Sequence, residues 1–245
     1  MPTKGAASLS FLIIALDGPS GVGKSTLARM LAEKLDCLYV DTGAMFRCVA
    51  WCWRQGGCPE DESRLKKIGV ETRIHFDGDR IWCNGKNVSE AIRSESVSAL
   101  ASKISRFPVI RDIMKQQQRK LVEEVRQSRS HAGAVLEGRD IGTKVFPKAD
   151  FKFFIDADPI IRAQRRVDQL RENGKSAEYR KVLDSMLQRD QQDRSRAVAP
   201  LRQAKDACWI DTGEMGIDQV LNQMLQQIQD RPNASSENRE TSNRS

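Results

Sequence analysis

The sequence predicts an α/β protein in three layers, with a central parallel sheet of five strands between two layers of helices. Three observations carry this. Five short apolar runs, at 11–16, 37–40, 134–136, 151–155 and 208–210, each give way to polar or glycine residues and then to a helix-like stretch. Runs that are apolar throughout belong to strands buried on both faces, the habit of parallel sheets sandwiched by helices. The stretches between them carry helical spacing, as in Leu27, Leu31 and Leu35 after the first run and Val220, Met224 and Ile228 after the last. Finally, the first run leads directly into Gly18-Pro19-Ser20-Gly21-Val22-Gly23-Lys24-Ser25, which matches G-x-x-x-x-G-K-[ST] between a strand and a helix. That context defines the P-loop NTPase version of the fold.

Taken in order, residues 1–10 are small and polar and read as a disordered tail. Leu9–Leu16 is too short to span a bilayer, ends in Asp17 and has no small-residue cleavage site after it, so it reads as a buried strand rather than a leader. Residues 68–88 break the α/β pattern. There Val70, Thr72, Ile74 and Phe76 alternate with polar residues, and Asp77-Gly78 and Asn84-Gly85 suit tight turns, so a small antiparallel insertion is expected after the second strand. A helix containing Ala99, Lys103 and Ile104 follows it. Residues 229–245 have no apolar periodicity and read as a second disordered tail.

Ligands of such sheets sit beyond the carboxyl ends of the strands. The polar residues directly after the runs, Asp17, Asp41, Glu137, Asp156 and Asp211, are therefore site candidates. Glu137 stands where an acid holds Mg²⁺, directly or through a water. Asp17, directly before Gly18, reads either as a group behind the metal's ligands or as a turn residue, and the turn reading is preferred. The six cysteines and two histidines show no metal-ligand spacing, and the thiols read as reduced and cytoplasmic. The net charge of +7 suits either nucleic acid or a nucleotide with several phosphates. The sparse aromatics, 6% of residues, offer no stacking platform for single strands.

The glycine-rich loop supplies convergent backbone N–H groups for phosphate oxygens, and the helix N-terminus adds partial positive charge. Gly18 to Thr26 are the expected ATP-binding residues, with Lys24 on the β- and γ-phosphates and Ser25 on Mg²⁺. No N-K-x-D guanine-reading motif is present, which argues against a GTPase. Between 162 and 202 lie nine arginines, including Arg162, Arg165, Arg166, Arg189, Arg194 and Arg196, against only two lysines. That bias favours bidentate phosphate grips over point charges. Arg162, Arg165 and Arg166 share one helix face, as do Arg189, Asp193 and Arg196. Many arginines without an obvious general base suit an acceptor that is itself a phosphate, already anionic at neutral pH. Kinases of other small molecules, such as shikimate or gluconate, share the loop, and a basic RNA-binding module is the non-enzyme alternative.

Four motifs together resemble bacterial-type cytidylate kinases: Asp17-Gly18-Pro19-Ser20-Gly21-Val22-Gly23-Lys24-Ser25-Thr26, Asp41-Thr42-Gly43-Ala44-Met45-Phe46-Arg47, Gly138-Arg139-Asp140-Ile141-Gly142-Thr143 and Arg194-Ser195-Arg196-Ala197-Val198-Ala199-Pro200. The resemblance spans roughly 11–228. It implies a kinase domain over those residues, with a monophosphate-binding insertion at about 64–94 and a helical lid at about 160–178. It further implies ATP with Mg²⁺ as donor and CMP or dCMP as acceptor, in a cytoplasmic enzyme. Arg47, Arg139 and Arg196 match positions at the acceptor phosphate, and Thr42 matches a substrate-binding position. Ser102, Arg111 and Asp140 match positions that read the cytosine edge, while Arg189 and Asp193 match a pair at the ribose. Arg165 matches the lid arginine facing the donor phosphates, and Lys24, Arg139, Arg165 and Arg196 are the expected catalytic set. Phe46 stands where tyrosine is frequent, Thr42 where serine is, and Glu137 where aspartate is common. Neither nucleic acid nor membrane is expected as a partner, and the lack of an apolar surface stripe points to a monomer.

Overall fold

A computed structural model describes residues 11–58 and 61–230 of the 245-residue protein. The two expected tails lie outside the described residues, except that Gln229 closes the last helix and Asp230 caps it through its N–H to Gln226 O. The chain runs β1 (Leu12–Asp17), α1 (Lys24–Lys34), β2 (Cys37–Asp41), α2 (Thr42–Gln55), α3 (Glu62–Glu71), β3 (Ile74–Asp77), β4 (Arg80–Cys83), β5 (Lys86–Asn87), α4 (Glu95–Ile104), α5 (Pro108–Ser128), β6 (Gly133–Gly138), β7 (Phe151–Asp156), α6 (Pro159–Glu172), α7 (Tyr179–Ser195), β8 (Cys208–Asp211) and α8 (Ile217–Gln229).

Five of these strands form a parallel sheet in the order β2-β6-β1-β7-β8. Successive β1 side chains serve opposite faces, as the pleat demands. Ile13 and Ala15 join a core with α2, α4 and α5, whereas Ile14 and Leu16 join one with α1 and α8. Both sets are buried, which is why the run reads as apolar throughout. The register places Asp17 opposite Gly138, Asp41 opposite Glu137 and Asp156 opposite Asp211. The strand-end acids picked out in the sequence thus line one edge of the sheet.

The antiparallel insertion is a three-stranded sheet, β3-β4-β5, but it starts later than the alternation implied. Val70 lies in α3 and is exposed. Helical periodicity wins there because Asp61 caps the helix at Ser63 N and Leu65 and Gly69 turn inward, with Gly69 packed on Ile110 and Ile113 of α5. Asp77 pairs with Arg80, so the first turn centres on Gly78-Asp79, one residue beyond the expected pair. The second centres on Asn84-Gly85, both with positive φ. Cys52 Sγ of α2 lies 3.4 Å from Cys83 Sγ of β4, and the two thiols are free. Among the described residues, no helix is long and apolar enough to cross a membrane.

Candidate active site

The loop between β1 and α1 is built for an anion. Gly18 has φ 151°, and a Cβ there would lie 1.9 Å from Ile155 O, so the loop passes against β7 where no side chain fits. Gly23, with φ 87°, takes the left-handed conformation at the N-cap of α1, and no side chain caps that end. The first-turn N–H groups are left to face the loop's concavity. Lys24 is buried and curls back onto Pro19 O. Burial first, then the nearby Arg139 charge, push its ammonium below the ordinary lysine range. An anion in the loop would reverse that push.

Glu137, near the end of β6, is buried and takes two hydroxyl donors. Ser25 Oγ donates to its Oε2 at 2.9 Å, and Tyr39 OH donates to its Oε1. Burial and then the Asp41 charge raise its pKa. A carboxylate and a hydroxyl side by side at the loop are hard oxygen ligands, the set Mg²⁺ takes beside substrate phosphates and water. Among the described residues no group of three or more His, Cys, Asp or Glu could hold an ion alone. The residues present fit a metal completed by a nucleotide, not a protein-only cage. Tyr39 was not singled out in the sequence, because inside an apolar run its hydroxyl gives no signal until β2 and β6 are paired.

Across from the loop, arginines from separate elements converge. Arg47 of α2 gives one Nη to Asp41 Oδ2 at 2.8 Å, and Asp41 also caps α2 at Ala44 N. Arg139, just after β6, gives Nε to Asp193 Oδ2 at 2.9 Å, and Arg196 Nη1 lies 3.7 Å from the other oxygen. Arg189 stands in the same electrostatic neighbourhood: burial, then Arg139, lower its pKa to about 10. Burial alone would raise the Asp193 carboxyl, but Arg139 and Arg196 outweigh it and hold the group below its ordinary value. Four buried guanidinium nitrogens, Arg47 Nε, Arg189 Nε, and Arg196 Nε and Nη2, have no hydrogen-bond partner in the protein. Buried N–H groups are nearly always paired, so this cluster is short of acceptors.

Next to it lies a small pocket lined by Thr42, Phe46, Arg111, Gln118 and Asp140, among others. Arg111 Nη2 donates to Asp140 Oδ2 at 2.6 Å, Nη1 reaches Ser105 O at 3.2 Å, and the guanidinium lies 5.5 Å from the Phe46 ring centroid.

Several expected site residues are occupied differently from the sequence reading. Asp17 is no turn residue: it ends β1, buried, and accepts from Ile141 N at 2.9 Å and Gly142 N at 2.8 Å. It braces the segment that carries Arg139 and Asp140. Thr42 Oγ1 donates to Glu137 O at 2.6 Å, tying α2 to β6. Ser102 Oγ faces Gln192 Oε1 at 3.4 Å, beside rather than among the residues lining the Arg111–Asp140 pocket. Asp193 neutralises two arginines, in addition to any contact it makes with a sugar. Arg165 rests on Thr212 O at 2.5 Å and Gly213 O at 3.3 Å, not on the glycine loop itself. Its neighbour Arg162 is fully buried and does touch that loop, bonding Ser20 O at 3.0 Å. Sequence spacing put both on one helix face but could not say which points inward.

A parallel sheet whose first strand opens into an anion-cradling glycine loop, with a lysine, a hydroxyl and a carboxylate at its rim, defines the P-loop NTPase class. The sequence profile of the Cytidylate kinase family matches residues 14–230. Curated cytidylate kinases of Syntrophotalea carbinolica and Nitratidesulfovibrio vulgaris are 45% and 42% identical to the chain, over 90% and 94% of it and 93% and 97% of their own lengths. That of Geobacter sulfurreducens is 40% identical over 94% of the chain and 97% of its own. A solved, uncharacterized protein from Eubacterium ventriosum shares the fold, with a TM-score of 0.51 at 16% identity over 90% of the chain and 99% of its own. The chain belongs to the cytidylate kinase family.

Proposed function

We propose that the protein transfers the γ-phosphoryl group of ATP to CMP or dCMP, giving ADP and CDP or dCDP. The observation that carries this is the set of buried, unpartnered guanidinium nitrogens on Arg47, Arg189 and Arg196 around Arg139, a cluster whose charge is felt at Lys24 of the glycine loop. One anion cradle would serve any P-loop protein. Two facing ones serve a reaction between two phosphates.

In this reading the backbone of 18–25 and Lys24 hold the donor's phosphates. The acceptor phosphate, with a second pKa near 6, arrives as its own nucleophile. One of its oxygens forms a bond to the γ-phosphorus as the bridge to the β-phosphate breaks, and the bridging oxygen leaves on ADP without needing a proton. Arg47, Arg139 and Arg196 neutralise and align the acceptor, which is the main work of phosphoryl transfer. Ser25 and Glu137 would hold Mg²⁺, which when bound neutralises charge on the donor's phosphates. Arg111 donates to the ring acceptors of cytosine and Asp140 accepts from its amine, with Ser102 at the margin. A site that pairs this amine penalises uracil strongly. Arg189 and Asp193 would meet the sugar. Phe46 keeps its ring against Arg111 but offers no hydroxyl.

We further assign the kinase domain to 11–228, the acceptor-binding insertion to about 64–94 and the lid to about 160–178, which is most of α6 with the segment that joins it to α7. Arg165 would face the donor once it leaves the Thr212 and Gly213 carbonyls. The basic surplus serves nucleotide phosphates rather than nucleic acid or a membrane, and the working form is a cytoplasmic monomer. A coupled ADP-release assay across the common nucleoside monophosphates tests the reaction. CMP and dCMP should support turnover well above UMP, AMP and GMP, and Arg139→Met should lower kcat/KM for CMP by about 10²–10³-fold. Turnover with none of the pyrimidine monophosphates would remove the proposal.

A further inference from the structure

Arg162 is 2% exposed and joins three parts of the molecule. Its Nε donates to Ala157 O at 2.9 Å, just past β7. Its Nη1 donates to Ser20 O at 3.0 Å in the glycine loop, and the same nitrogen pairs with Asp190 Oδ2 of α7 at 2.7 Å. The loop's tip rests on the same two helices, since a Cβ on Gly21 would lie 2.8 Å from Met186 Cε of α7 and 3.5 Å from Arg162 Cβ of α6.

Helix α7 therefore has two working stripes. Met186 and Asp190, four residues apart, face the donor loop. Arg189 and Asp193, also four apart and rotated by one residue, face the cationic cluster, with Arg196 just beyond the helix end. A rigid helix that touches both sites cannot move for one without moving for the other.

Stability gives a poor account of the ion pair. A buried pair with two carbonyl contacts is often no more stabilising than apolar residues of the same volume. The contact is also incompletely bonded, because Asp190 Oδ1 and the Ser20 hydroxyl are both buried without partners. Such gaps suit an interface with a second arrangement, the element that coupling between sites requires.

We propose that the Arg162–Asp190 pair is a positioning device that couples filling of the arginine cluster by the acceptor phosphate to placement of the donor loop. Neither residue touches the reacting atoms. An acceptor phosphate draws on Arg189 and Arg196, α7 responds, and Asp190 carries Arg162 and the Ser20 carbonyl with it. By linkage, a filled donor loop strengthens acceptor binding by the same factor. The inference rests on the acceptor assignment made above.

Calorimetric titration of CMP, with and without a saturating non-hydrolysable β,γ-imido analogue of ATP, tests it. The wild-type protein should bind CMP about tenfold tighter with the analogue present. In Asp190→Asn the ratio should fall below about twofold, with the CMP Kd in the absence of analogue little changed. Should that variant fold poorly, the Arg162→Leu/Asp190→Leu double variant removes both charges together, which folding tolerates far better than one, and it should show the same lost ratio. A lowered Tm with the wild-type ratio intact would mean a structural role and overturn the proposal, as would a wild-type ratio of one. A wild-type protein that binds no CMP at all would instead sink the acceptor assignment, and the coupling with it.

Discussion

Replacing Asp17 by asparagine separates the electrostatic cost of a buried brace from its hydrogen bonds. The carboxyl is 4% exposed and accepts from Ile141 N and Gly142 N, yet burial dominates and raises its pKa from 3.8 to about 6. Between those two values the folded protein holds a proton that the unfolded chain has released. The Asp17 contribution to stability is therefore fully present below pH 3.8 and is lost as pH rises through about 6. The loss amounts to about 3 kcal/mol, from the difference between the two pKa values at 1.36 kcal/mol each. Asparagine removes the titration, but it keeps one acceptor oxygen and sets its amide NH2 against the other backbone N–H, a cost that does not depend on pH. Urea unfolding should therefore find Asp17→Asn the less stable protein at pH 4. Between pH 4 and pH 7 the difference should move in favour of the variant by about 2–3 kcal/mol, since the subtraction cancels the other carboxylates. A difference between the two proteins that stays flat from pH 4 to pH 7 would refute the reasoning. The brace would then cost nothing to ionise, its two N–H partners outweighing burial.

Two further outcomes bear on the chemistry. Asp140→Asn should cut the CMP-over-UMP preference in kcat/KM by about 10–100-fold, because an amide can offer the base a donor where the carboxylate only accepts. It also unpairs Arg111, so a circular dichroism melt should accompany the assay. Glu137→Gln should raise the Mg²⁺ concentration for half-maximal rate at least fivefold, measured by titrating the metal at fixed ATP. An unchanged titration would take Glu137 out of the metal's surroundings and leave it as the partner of Ser25 and Tyr39.

The five strands of the sheet and the acids at their ends were legible because each strand is buried on both faces, so burial alone writes an unbroken apolar run; the order β2-β6-β1-β7-β8 was not, because it depends on pairings between distant segments. The glycine loop was legible because its backbone leaves no room for side chains: the Ile155 carbonyl excludes even a Cβ at Gly18. The insertion was legible in kind but not in extent, since Val70 fits an alternating pattern as well as a helical one until α5 packs against Gly69.

Local spacing and the avoidance of water were enough to write the layered fold, the phosphate cradle and the supply of arginines into the chain. How each arginine is used was settled by the packing of distant segments. Arg162 and Arg165 lie three residues apart on one helix face, yet the first is buried against the glycine loop and Asp190 while the second reaches the Thr212–Gly213 carbonyls. Asp193 turned out to bind Arg139, which is 54 residues away. A guanidinium's role is set by which partners burial leaves it, and those partners come from distant strands and helices that no local pattern names.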